Sequence, residues 1–165
     1  MKKYGLYMAD RKPNIELRGL PESMHISEKK ISFSSICNGE TRINDIMWFV
    51  ISAGKYHIYE VTNEDGRVIH RSKVIGRCLK FPFLPKGSYE IGPCLTEEDF
   101  RGMGIYPSVL THICSVFQSD LYMIIREDNF SSIRGVKKAG FVKVGEGYRD
   151  KFGIWRMKQG EMEIL

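Results

Sequence analysis

Apolar and polar positions alternate most legibly in the second half of the chain. From Tyr106 to Phe117, apolar residues recur at Val109, Leu110, Ile113, Val116 and Phe117, which is helical spacing. Pro107 falls in the first turn of that helix, where the missing N–H costs nothing. Leu121 to Ile125 is a short apolar run that predicts a buried strand. Asp128 or Asn129 then caps a helix that runs to about Ala139, with Ile133 and Val136 facing inward. Gly140 sits where a left-handed C-terminal cap belongs. Phe141 to Val144 predicts the next strand, Gly145-Glu146-Gly147 a turn, and Phe152 to Met157 a last strand.

The first half carries weaker signals. Lys3 to Ala9 suits a first strand, and Asp10 to Pro13 and Gly19 to Glu22 carry turn chemistry. Ile26 to Ile36 mixes serines with apolar residues and is ambiguous. Asn44 to Ile51 reads as a helix capped by Asn44 or Asp45, or as a buried strand through Trp48-Phe49-Val50-Ile51. A hairpin is clearer: Tyr56 to Thr62, the turn Asn63-Glu64-Asp65-Gly66, and the return Arg67 to Ile75. Cys78 to Leu84 leads through Pro85-Lys86-Gly87 to a strand from Ser88 to Thr96. An antiparallel meander followed by strand, helix, strand, helix and strands predicts a mixed sheet flanked by helices, an α/β (α+β) chain.

Composition adds bounds. The 165 residues are most simply one domain, long enough to bury a core without staples. No run approaches the roughly 20 apolar residues of a membrane span, and the opening residues lack a signal-peptide pattern, so a cytoplasmic protein with no membrane partner is expected. The cysteines Cys37, Cys78, Cys94 and Cys114 are scattered without metal-ligand spacing, so no metal site is expected. The net charge of +5 suits an anionic ligand. The basic residues are dispersed, which disfavours a nucleic-acid-binding domain.

The chemistry concentrates after Thr96. A short acidic turn, Glu97 to Asp99, precedes Arg101-Gly102-Met103-Gly104-Ile105-Tyr106 and the helix. Glycines let backbone N–H groups converge without Cβ atoms in the way. A helix start adds unpaired N–H groups and the positive end of a dipole. Together they predict an anion cradle suited to phosphate.

These segments resemble the GNAT superfamily of acyl-CoA-dependent N-acyltransferases. The family's phosphate loop reads Arg or Gln, two residues, Gly, one residue, then Gly or Ala. Arg101 to Ile105 fill its first five places. A second family segment is an Asn that opens a helix ending in Gly-Phe, matched by Asn129 and by Gly140-Phe141. The resemblance covers about Ser88 to Met157. It implies a single domain over residues 1–165, in which 1–87 shape the acceptor side and 88–158 bind acyl-CoA. The implied fold is a mixed, mostly antiparallel sheet with a V-shaped splay between the fourth and fifth strands. The pantetheine arm would lie in that splay against Cys94, Leu95 and Thr96. The pyrophosphate would sit on N–H groups of Arg101, Gly102, Met103, Gly104, Ile105 and Tyr106. Asn129 and Ser132 would complete the donor site. Acetyl-CoA is the expected donor, and a primary amine of a small metabolite or sugar precursor the expected acceptor; a homodimer is compatible with this reading. The alternative is a non-catalytic acyl-CoA-binding module.

Two departures stand out. Tyr106 occupies the last loop position, usually Gly or Ala, and its phenol either covers the donor or packs inward. Val136 occupies the position that many members fill with a tyrosine acid; Tyr148, Tyr122 and Ser132 are the substitutes in view. Acyl transfer to an amine also needs a base, an oxyanion donor and a leaving thiolate. Glu90 is the candidate base, placed by period-two counting on the strand face of Gly92, Cys94 and Thr96. A strand N–H near Cys94 would bind the oxyanion. The Cys94 thiol reads as a small apolar strand residue rather than a nucleophile, so direct attack in a ternary complex is expected. His57 and His70 lie on opposite arms of the hairpin, where they can face each other. Arg126 ends a strand near the cleft. Trp48, Phe49, Tyr56, Tyr59 and Tyr148 are aromatic candidates for an acceptor pocket, and equally for core.

Overall fold

The computed structural model describes residues 3–10, 19–39 and 41–158. In chain order its elements are β1 (Tyr4–Ala9), β2 (His25–Lys30), α1 (Phe33–Cys37), α2 (Ile43–Ile51), β3 (Tyr56–Thr62), β4 (Val68–Gly76), β5 (Tyr89–Thr96), α3 (Ile105–Val116), β6 (Leu121–Arg126), α4 (Phe130–Lys138), β7 (Phe141–Arg149) and β8 (Trp155–Met157). A single turn of 3₁₀ helix, Glu98–Phe100, joins β5 to the glycine loop. The strands form one sheet in the order β2-β3-β4-β5-β6-β1-β7-β8. Every pairing is antiparallel except β5 with β6.

Both faces of the sheet are covered. On one, Val74, Ile91 and Met123 pack against Val109, Leu110 and Ile113 of α3 and Val136 of α4. On the other, Leu6, Ile58, Ile75 and Tyr122 meet Trp48 of α2 and the Phe81–Leu84 segment. Each of these side chains gains roughly 1.5–3 kcal/mol on leaving water.

β1 departs most from chain order. It pairs with β6 on one side and β7 on the other, so the first residues sit inside the part of the sheet built by the second half of the chain. The ambiguous segment resolves into β2 and α1, whose cap Ser32 accepts from Ser35 N–H and is reciprocated by the Ser35 hydroxyl. The extra strand β2 makes β5 and β6 the fifth and sixth in chain order.

Several sequence expectations are corrected. The 44–51 segment is helical, but Arg42 precedes it without a side-chain cap, and neither Asn44 nor Asp45 caps it. Asp45 instead turns inward, taking bonds from the Tyr56 hydroxyl at 2.6 Å and Lys73 Nζ at 2.7 Å. The run looked strand-like because Ile43, Met47, Val50 and Ile51 leave the outer face apolar too. Gly145-Glu146-Gly147 is not a turn: β7 runs through it, with a bulge against β1. A Cβ on Gly147 would lie 2.6 Å from the Arg156 carbonyl oxygen, so the glycine serves close approach of β7 and β8. The last strand starts at Trp155, because the Asp150 carboxylate accepts from the N–H groups of Phe152 and Ile154 and holds that stretch as a turn. The turn expected at Asp10 to Pro13 falls mostly outside the described residues.

Candidate functional site

The site is built where β5 and β6 part. Their parallel pairing registers only at Tyr89–Leu121 and Glu90–Tyr122. Beyond Glu90 the edge of β5 that faces β6 is unpaired, and the two strands splay. Pro93, which has no N–H to give, lies at the start of this open stretch.

β5 changes face within the same stretch. Ile75 opposes Glu90 and Val74 opposes Ile91, but Ser72 opposes Cys94, so Gly92 and Pro93 together stand against Lys73. This bulge adds one residue to β5 and reverses its alternation. Cys94 and Thr96 therefore share the face of Ser72 and Val74, which α3 and α4 cover. Glu90 shares the opposite face with Ile75. Period-two counting from the sequence put Glu90 with Cys94 and Thr96, and the bulge overturns that count.

On the α3–α4 side lies a cavity of about 530 Å³. Its walls are the end of β5 (Cys94, Leu95, Thr96), the loop and helix start (Arg101, Gly102, Gly104, Ile105, Tyr106), and α4 with its cap Asn129. Every residue expected to bind the donor is there except Met103, whose side chain points to solvent. Gly102 and Gly104 have φ of +83° and +82°, conformations that L side chains rarely adopt. The N–H groups from Gly102 to Tyr106 meet no acceptor among the described residues. Arg101 Nε donates to the Thr96 carbonyl at 3.2 Å, which ties the loop to the open end of β5. Asn129 accepts from Ser132 N–H at 3.2 Å as the cap of α4.

Besides Phe100 and Pro107, which flank the loop, four lining residues on α4 escaped the sequence reading: Ser131, Arg134, Gly135 and Lys138. They recur at helical spacing along one face of α4, and that periodicity was the available signal. They add two cations to a cradle already rich in N–H donors. The whole wall therefore favours a phosphorylated ligand.

Tyr106 packs inward. A Cβ on Gly135 would sit 2.5 Å from its Cδ1, so one edge of the ring lies against α4 at the one position without a side chain. Its hydroxyl reaches Met123 Sδ on β6 at 3.9 Å. Val136, the next residue on α4, is fully buried in the core.

Glu90 is 5% exposed and its Oε2 has no hydrogen-bond partner among the described residues. Burial pushes its carboxyl up to about 8, opposed by the charge of Lys80. A Cβ on Gly92 would lie 2.7 Å from its Oε1, so this glycine leaves room for the carboxyl beside the backbone. Burial likewise pushes the Cys94 thiol up to about 12, which keeps it protonated and a poor nucleophile.

A buried polar chain runs beside the cavity. His70 Nδ1 meets Thr96 Oγ1 at 2.7 Å, and Nε2 meets Ser72 Oγ at 2.8 Å. Burial drops His70 to about 4, so the ring is neutral and serves as a hydrogen-bonding cross-link from β4 to the end of β5 that opens away from β6. His57 opposes Val74 and His70 opposes Val61, so the two histidines do not face each other. His57 instead bonds Glu28 at 2.8 Å. Arg126 is engaged by Asp128 and lies outside the cavity wall. Trp48, Tyr56 and Tyr59 are buried in the two cores. Among the described residues no group of three or more His, Cys, Asp or Glu is placed to hold a metal ion, and no helix is long and apolar enough to cross a membrane.

No family model matches the sequence, and no curated protein matches it either. Solved structures do match. An acetyltransferase of the GNAT family from Colwellia psychrerythraea aligns with a TM-score of 0.57 over 88% of this chain and 54% of its own, at 10% identity. A GCN5-related N-acetyltransferase from Sphaerobacter thermophilus aligns with a TM-score of 0.59 over 88% of this chain and 49% of its own, at 11% identity. A tandem GNAT protein from the clavulanic acid biosynthesis pathway, solved without AcCoA, aligns with a TM-score of 0.53 over 94% of this chain and 51% of its own, at 10% identity. This chain thus spans about half the length of each. At such identities the likeness shows the fold. The chain is a GNAT-fold protein, and the resemblance read from the glycine loop holds at that level.

Proposed function

We propose that this chain is an acyl-CoA-dependent N-acyltransferase, with acetyl-CoA as donor and a primary amine of a small metabolite or sugar precursor as acceptor. The observation that carries the reading is the cavity at the open end of β5, walled by free backbone N–H groups, Arg134 and Lys138. Acyl-CoA supplies an activated acyl thioester and a pyrophosphate by which to hold it. The N–H groups of Gly102 to Tyr106 take the pyrophosphate, with Arg134 and Lys138 balancing its charge. The unpaired edge of β5 from Cys94 to Thr96 aligns the pantetheine amides, as a missing strand would. An N–H on that edge near Cys94 would bond a developing oxyanion.

Glu90 is the proposed base. The β5 bulge turns it to the face opposite the cavity, so an amine bound on that face would not displace the donor. Its orphan Oε2 lacks a donor that an ammonium would supply. A carboxyl raised to about 8 is matched to accepting a proton near neutral pH. The high Cys94 thiol favours direct attack over an acyl-enzyme.

Thermal shift with acetyl-CoA and with CoA tests the donor site: both should raise the melting temperature by ligand linkage. If neither does, the acyl-CoA reading is overturned. Thiol release with a panel of primary amines then tests transfer. Val136 at the usual position of an acid, and the closed surroundings of Glu90, favour a second reading, a non-catalytic acyl-CoA-binding module. Stabilisation by CoA with no thiol release from any amine would select it.

A further inference from the structure

We propose that Tyr106 is the residue that limits acyl length, closing the acyl end of the cavity so that a short acyl group is accepted and a long one refused. The inference rests on the acyl-CoA reading above and adds the selectivity of that same site. The splay between β5 and β6 begins directly after the Glu90–Tyr122 pair, so Met123 is the first β6 residue to face the gap. The Tyr106 hydroxyl stands 3.9 Å from Met123 Sδ, and its ring lies on α4 at Gly135. The phenol therefore reaches from α3, across α4, to the mouth of the gap. The cavity is walled by β5, the loop, α3 and α4, with Tyr106 among its walls, and no β6 residue reaches it. Tyr106 thus stands between the cavity and the gap.

What surrounds the ring makes it a fixed wall. On the α4 side, Gly135 leaves the ring its place, and a Cβ there would collide with it. On the β4 side, the His70 imidazole lies 6.1 Å away, centroid to centroid, and is itself pinned by Thr96 and Ser72. Behind it are Met123 and the rest of the buried core. A ring held by an α4 glycine, a cross-linked histidine and a methionine does not swing aside without displacing packed neighbours. A donor whose pantetheine lies along Cys94 to Thr96 points its acyl group at this ring. On this proposal an acetyl group would stop short of it. Each further methylene must find space the phenol already occupies, so apolar binding energy cannot accrue with chain length as it does in an open groove.

The test is a chain-length series measured by titration calorimetry. CoA, acetyl-CoA, butyryl-CoA, hexanoyl-CoA and octanoyl-CoA are titrated into wild type, Tyr106→Phe and Tyr106→Ala. Wild type should bind CoA and acetyl-CoA and bind hexanoyl- and octanoyl-CoA at least tenfold more weakly. Tyr106→Phe should keep that profile, because the ring and not the hydroxyl does the excluding. Tyr106→Ala should flatten or invert it, with octanoyl-CoA gaining at least tenfold relative to acetyl-CoA. If Tyr106→Ala does not fold, Tyr106→Leu supplies the shortened wall, and hexanoyl-CoA should gain relative to acetyl-CoA. Equal wild-type affinity for acetyl- and octanoyl-CoA overturns the inference while leaving the donor site standing. Failure of CoA itself to bind overturns the acyl-CoA reading, and this inference with it.

Discussion

The two ends of β5 are a few residues apart and do opposite things. At the N-terminal end, Tyr89 and Glu90 pair with strands on both sides, and Glu90 is sealed in with one carboxylate oxygen unpartnered among the described residues. At the C-terminal end, Cys94 to Thr96 pair with β4 alone and open onto a cavity. The bulge at Gly92–Pro93 separates them and turns them to opposite faces. One end is therefore suited to binding, through exposed backbone, and the other to proton chemistry, through burial of an ionisable group. In the proposed reaction, donor and acceptor would meet at one strand from two sides because the alternation is broken between them.

The strongest way to break this comparison is Glu90→Gln. If Glu90 is the base, turnover should fall by roughly 10²–10⁴-fold. Wild-type activity should rise with pH up to about 8, and the variant should lose that limb. Full activity of the variant across pH would remove the base assignment. Stability moves with pH as well. A carboxyl raised on folding means the folded state holds the extra proton between the ordinary carboxyl range and about 8. Wild type therefore loses stability as pH rises through that window, on the order of 5 kcal/mol at full ionisation, and Glu90→Gln should not. Urea unfolding at stepped pH reads this directly.

His70 sharpens the other end. It is depressed from 6.5 to about 4, so the unfolded chain binds the extra proton in that interval. Stability is intact above 6.5 and is lost as pH falls towards 4, on the order of 3 kcal/mol in the limit. The two titrations have opposite signs, so melting temperature against pH should pass through a maximum. Replacing His70 by Gln should remove the acid limb alone; an unchanged limb would assign it elsewhere.

Gly104→Val probes the cradle. Nothing stands within 4 Å of the added Cβ, so the penalty comes from the left-handed backbone at φ +82°. CoA affinity should drop about 10–100-fold while the fold persists, a loss on the order of 2 kcal/mol. Undiminished binding would place the phosphate elsewhere. The smallest effect is expected at the Tyr106 seat. Gly135→Ala should destabilise by about 1–3 kcal/mol through collision with the ring. In a Tyr106→Ala background the same change should be close to neutral, and a double-mutant cycle measures the coupling. Additive effects would mean that the ring does not rest there.

Much of the binding end was legible because it is local. Arg101-Gly102-Met103-Gly104, the helix start at Ile105 and the Asn129 cap act through consecutive backbone groups, and residue type at fixed spacing is enough to reveal them. Arg134 and Lys138 were missed although their spacing on α4 was readable. Glu90 was read as a strand residue and lies on β5, but its face was miscounted, because a bulge leaves no mark on a periodicity except a Gly-Pro pair. The turn assigned to Gly145-Glu146-Gly147 failed for a related reason. Glycine signals a tight place, and here the tight place is the approach of a neighbouring strand, which composition cannot distinguish from a turn.

By itself the sequence determined α3 and α4, the β3–β4 hairpin and the glycine loop before α3, since each depends on residues within a few positions of one another. Only the tertiary structure decided that β1 inserts between β6 and β7, that Glu90 is buried on the far face of β5, and that Tyr106 lies on Gly135 against Met123. These depend on pairings between residues distant in the chain, where a one-residue shift in register exchanges inside for outside. A short-range pattern carries no record of which register the rest of the chain imposes.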